Sequence, residues 1–143
     1  MFCLRVIVLA CFLLCASALQ AAATHPLDPL DESEITSAVK ILQAAPNFPK
    51  TALFSTVVLS EPPKAEVLSF KSGARFRREA FAIVLDRAAN KTFEATVDLR
   101  GGKILAWKEI PGVQPLVFLE EYEILPDIVK ADRRWQEAMR KRG

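Results

Sequence analysis

Few side chains in this 143-residue sequence have types and spacing that could do chemistry. There is one histidine, His25, one tyrosine, Tyr122, and three cysteines, Cys3, Cys11 and Cys15. A catalytic copper or zinc centre needs several imidazole or thiolate ligands, and this set does not supply them. His25 precedes Pro26 on a proline-rich arm and reads as a solvated residue. Carboxylates are more plentiful, but Glu120, Glu121 and Glu123 read as the charged face of a helix, and Asp28, Asp31 and Glu32 as arm and helix-start residues. Ser55, Ser60, Ser69 and Ser72 lack a Gly-x-Ser-x-Gly frame, and a serine triad would depend on His25. Gly101 and Gly102 lie between two alternating segments with no helix start behind them to receive a phosphate, which makes them a hairpin turn. Trp107 and Phe93 read as sheet packing rather than a ligand cage. Asn90-Lys91-Thr92 is an N-glycan acceptor pattern at a hairpin tip, of consequence in an organism that glycosylates. The expected catalytic, cofactor-binding and metal-ligating residues of this chain are none.

Composition points the same way. With 51% hydrophobic and 25% charged residues the chain suits one compact domain plus extras. Lys and Arg number 19 against 17 Asp and Glu, a balance too even to hold a nucleic-acid backbone by counterion release. Arg140, Lys141 and Arg142 form a local basic run that complements the dipole at a helix end.

The first segment has its own character. Arg5 is followed by the uncharged run Val6 to Leu14 and then by small residues ending in Ala21, Ala22 and Ala23, the layout of a secretory leader. The run falls short of the ~20 apolar residues a membrane span needs. Cleavage is expected near Ala23, giving a secreted or periplasmic product free of the membrane. All the cysteines leave with the leader, so the mature chain carries neither disulfide nor thiolate.

These residues must be positioned by local elements. Prolines 26 and 29 keep the HPLDPLD arm extended. Asp31 caps a helix with Glu34 three residues on, Ile35, Ala38, Val39 and Leu42 make its apolar face, and Pro46 stops it. Sheet segments are expected at Ala52 to Leu59, Glu79 to Asp86, Thr92 to Leu99 and Lys103 to Ile110. Glu66 to Phe70 is a possible fifth after Pro62 and Pro63. In the third segment Phe93, Ala95, Val97 and Leu99 alternate with Thr92, Glu94, Thr96 and Asp98, the pattern of a half-buried antiparallel strand. One helix across an antiparallel sheet is the simplest two-layer, α+β result. Ile110, Pro111 and Gly112 close that unit. From Leu116 the spacing turns helical: Tyr122, Leu125 and Val129 share a face, Pro126 starts a fresh turn or kinks the run, and Asp132 caps a last helix carrying Trp135, Ala138 and Met139.

Several separated blocks carry a resemblance over the whole of His25 to Gly143: HPLDPLDESEI, EAFAIVLDRAANKTFEATVDLRGGKILAWKEIPG, WKEIPGVQP and VKADRRWQEAMRKRG. Together they resemble the amino-terminal region of the copper-containing amine oxidases. The resemblance implies a first cystatin-like domain of helix on four-stranded sheet over residues 24–113 and the helical, incomplete opening of a second domain of the same type over 114–143, behind a signal peptide at 1–23. It implies that the catalytic domain is the missing partner, that the full-length enzyme is a homodimer, and that the family oxidises primary amines to aldehyde, ammonia and hydrogen peroxide. Copper held by three histidines and topaquinone, made from a tyrosine in an Asn-Tyr-Asp/Glu motif, serve that reaction in the full-length family. Neither is expected for this chain alone, where Tyr122 stands in LEEYE with Glu121 before it. Pro126 and Arg133 depart from the family's pattern. The competing expectation is a stand-alone secreted cystatin-like binding module. A protease inhibitor of the cystatin type would need a Gln-x-Val-x-Gly hairpin that the sequence lacks.

Overall fold

A computed structural model describes residues 23–143. The elements are α1 (Glu32–Gln43), β1 (Ala52–Leu59), α2 (Lys64–Ser69), β2 (Glu79–Asp86), β3 (Lys91–Asp98), β4 (Lys103–Ile110), α3 (Leu119–Ala131) and α4 (Arg133–Arg140). The leader, its cleavage point and the cysteines lie outside the described residues, except for Ala23 itself.

Four antiparallel strands form one sheet in the order β1-β2-β3-β4, so each strand pairs with its neighbour in sequence. Each of the last two hairpins starts from an aspartate that folds back on its own turn. Asp86 accepts from the amides of Ala88 and Ala89, and Asp98 from those of Arg100 and Gly101. Asn90 (φ 52°) and Gly102 (φ 62°) supply the left-handed residue each tip needs. Gly101 serves differently: a Cβ there would run into the Asp98 carboxylate.

Helix α1 lies across one face of this sheet. Asp31 and Glu34 make the expected reciprocal cap. Ala38 and Leu42 are fully buried, and they close over Ala80, Ala82, Val84, Ala95 and Val97. The helix is rotated from the expected face. Ile41, rather than Ile35 and Val39, packs with that cluster, because Arg78 draws the Glu34 side chain toward the sheet at 2.7 Å and so turns the Glu34-Ala38-Ile41 line inward.

Two β-bulges adjust the edge strands. Pairing skips Ser55 between Phe54 and Thr56, and skips Leu105 where Val97 meets Ile104 and Thr96 meets Ala106. A bulge shifts the alternation by one residue. That is why Phe54 and Val57 on one edge, and Ile104 and Trp107 on the other, can all pack against the core.

Two expectations are corrected. The possible fifth strand at Glu66 to Phe70 is instead the short helix α2, which starts behind Pro63 with Glu66 in its first turn. Thr92, expected on the polar face, is 4% exposed, and its hydroxyl donates to the Val113 carbonyl at 2.9 Å. Pro126 lies inside α3, which continues through it to Ala131. Asp132 does cap α4, accepting from the amides of Arg134 and Trp135.

Candidate functional site

The most tightly built polar cluster joins the arm to the sheet. Arg78, 3% exposed, sits just before β2 and makes four hydrogen bonds there. Its guanidinium donates to both oxygens of Glu34 at 2.7 Å each, to the Asp28 carbonyl at 2.6 Å and to the Pro29 carbonyl at 2.7 Å. The Glu34 carboxyl is thereby held below its ordinary range by the Arg78 hydrogen bonds, against a desolvation that raises it, and the Arg78 pKa is raised in return. Asp28 folds back to accept from the amides of Thr24 and His25 at 2.7 and 2.8 Å, and these bonds lower its pKa. Pro26 is fully buried as a result. The arm is pinned, and His25 is not the freely solvated residue expected. Its Nδ1 accepts from the Leu27 amide at 3.1 Å and its ring meets Phe70 edge-on at 5.2 Å.

Beside the arm, Pro26, Pro62, Phe70, Arg75 and Phe76 line an open hollow of about 290 Å³. Glu66 is on its rim but is taken by Arg77 at 2.7 Å. At the other end of the sheet, Phe93 stacks on Trp107 at 4.9 Å and Phe48 on Phe54 at 5.6 Å, and all four pack against the core. The carboxylates with resolved shifts all go one way: Asp28, Asp31, Glu34, Asp86 and Asp132 are lowered. That is the direction of ions engaged in caps and turns, opposite to that of an acid primed to donate a proton.

A third cluster links the sheet to the helices that follow. Besides Thr92 and Val113, Gln114 Nε2 donates to Asn90 Oδ1 at 2.7 Å. Arg87 reaches Glu121 at 3.2 Å and lies 5.5 Å from the centre of the Phe118 ring. Glu121, expected to be only part of a solvated face, also accepts from the Phe118 amide at the helix start. Beyond this latch α3 and α4 contact each other, while Leu119, Tyr122 and Ile128 are 74%, 63% and 59% exposed.

The described residues do not fit a copper or quinone centre. His25 is engaged with Leu27 and Phe70, Tyr122 lies on an exposed helix surface, and among the described residues no group of three or more His, Cys, Asp or Glu could hold a metal ion. Among the described residues no helix is long and apolar enough to cross a membrane.

A helix on a four-stranded antiparallel sheet, latched to a trailing pair of exposed helices, defines an α+β fold. Residues 25–110 match the family model described as copper amine oxidase, N2 domain. The primary amine oxidase of Arthrobacter sp. (strain P1) is 38% identical over 121 residues, covering 84% of this chain and 18% of that protein. The primary amine oxidase of Klebsiella aerogenes is 34% identical over 122 residues, covering 83% of this chain and 16% of its own length. The fold is shared with a copper-containing benzylamine oxidase from Hansenula polymorpha, at a TM-score of 0.66, 18% identity, and coverage of 82% of this chain and 19% of the other. The chain belongs to the copper amine oxidase family, as its amino-terminal domain, and spans less than a fifth of the length of these relatives.

Proposed function

We propose that this chain is the non-catalytic amino-terminal region of an exported copper amine oxidase, with the copper and topaquinone chemistry carried by sequence outside these 143 residues. In this reading residues 24–113 are the first accessory domain, residues 114–143 open a second, and residues 1–23 are removed on export. The complete enzyme would deaminate a primary amine oxidatively to aldehyde, ammonia and hydrogen peroxide.

The observation that carries the reading is the uncovered apolar surface of α3 and α4. Leu119, Tyr122 and Ile128 are more than half exposed, and Trp135 and Met139 are 39% and 41% exposed on a short helix rich in arginine. Such a surface calls for a further layer to bury it. The relatives, more than five times as long as the matched region, have chain enough to provide one.

The test is the coding DNA beyond Gly143. The expected result is an open frame leading to paired histidines and an Asn-Tyr motif, whose product releases hydrogen peroxide from a primary amine. The 143-residue chain given copper should stay colourless and inactive. The latch of Thr92, Asn90 and Arg87 onto residues 113–121 favours one competing reading, a stand-alone secreted binding module. A stop codon directly after Gly143 would support that reading instead.

A further inference from the structure

We propose that Asn90 is an acceptor for an N-linked oligosaccharide, attached while the chain is being exported and before the β2–β3 hairpin closes against residues 113–118. The proposal rests on the exported reading above. Asn90-Lys91-Thr92 has the acceptor pattern, and the fold puts Asn90 where the modification needs it. It is exposed at the hairpin tip beside the exposed Arg87, Ala88 and Ala89. Its left-handed backbone, φ 52°, turns the chain sharply there without the strain a branched residue would carry.

The side chain is divided chemically. In the folded chain Oδ1 accepts from Gln114 Nε2 at 2.7 Å, so a sugar already on Nδ2 does not compete with that contact. In the transfer, Nδ2 bonds to the anomeric carbon of a lipid-linked oligosaccharide and loses a proton. The anomeric C–O bond breaks, and the lipid diphosphate leaves with the electron pair. The carbonyl is untouched, so the contact with Gln114 survives in the modified protein.

Thr92 sets the timing. A transferase must reach the hydroxyl of the acceptor pattern, yet in the folded chain Thr92 is 4% exposed and its hydroxyl is given to Val113 at 2.9 Å. The acceptor is therefore open only while β3 and residues 113–118 are apart.

The test is secretion of the whole chain from a eukaryotic cell, once with its own first 23 residues and once with a leader of established export in their place. Intact mass is read before and after peptide N-glycosidase. The expected product carries one glycan, lost in Asn90→Gln and Thr92→Ala and retained in Thr92→Ser, which keeps Asn90 and the hydroxyl. An exported chain with the substitute leader removed and Asn90 unmodified overturns the proposal. A glycan with the substitute leader but a retained, unprocessed native leader upholds the acceptor and overturns the export reading alone. Folded, unglycosylated chain incubated with transferase and lipid-linked donor should remain unmodified, and efficient modification there would overturn the timing.

Discussion

Leu42, Val84 and Val97 in the α+β unit have no measurable exposure, whereas Leu119, Tyr122 and Ile128 in the helical segment stand 74%, 63% and 59% open to solvent. The two regions have similar apolar content but opposite fates for it, since a sheet gives α1 a surface to cover and nothing among the described residues does the same for α3 and α4. Fully burying a large aliphatic side chain contributes about 1.5–3 kcal/mol. Helices shorter than about 12–15 residues are marginal in water without such packing. The contrast is what an amino-terminal region awaiting further chain should show.

The sharpest way to break this comparison is to delete core volume. Leu42→Ala should cost about 3 kcal/mol in urea unfolding, whereas Leu119→Ala should stay within about 0.5 kcal/mol. A large loss at Leu119 would mean that the helical segment already has a packing partner. Arg78→Met should cost about as much as Leu42→Ala, near the lower end for removing one partner of a buried ion pair, because Glu34 is 20% exposed and can be partly rehydrated. Freed arm residues 24–30 should then exchange their amides quickly.

Acid should act on the same clamp. Because the folded Glu34 pKa lies below its ordinary 4.5, the stabilisation it gives is present above about that value and fades as pH falls through the folded one. Asp28 and Asp31 are lowered as well and act in the same direction. Melting followed against pH should therefore show loss of stability below about pH 4.5, with a shallower slope in Glu34→Gln. A slope unchanged by that substitution would remove Glu34 from the account. The smallest effect is expected at the latch. Arg87 and Glu121 are 49% and 36% exposed, and Arg87→Ala should cost about 0.5 kcal/mol while speeding amide exchange in α3.

Strand spans and helix caps were legible in the sequence because each rests on a local rule. Alternation marked β3, Gly101-Gly102 and the Asn90 region marked the tips, and Asp31 with Glu34 marked the start of α1. What was not legible depends on distant partners. Arg78 sits in a run with Arg75 and Arg77, and nothing local singles it out. Its role appears only once Asp28, Pro29 and Glu34 are folded against it. The bulges at Ser55 and Leu105 answer to packing under α1, so the strict period of two missed how Trp107 joins Ile104 in the core. Thr92 looked outward by alternation and is covered by Val113, about twenty residues on. Two local signals were available and passed over: Pro63 ahead of Glu66, which favours a helix start, and the aspartates at the ends of β2 and β3, which favour turns.

The central claim is that the α+β unit is finished and the helical segment is not. Amide hydrogen exchange of the 143-residue chain, at a dilution that prevents self-association, tests it most directly. The account expects β2 and β3 to be protected by orders of magnitude, and α3 and α4 to exchange at close to unstructured rates beyond the latch at Glu121. Protection of α3 and α4 equal to that of the central strands would contradict it, and would make this chain a finished module.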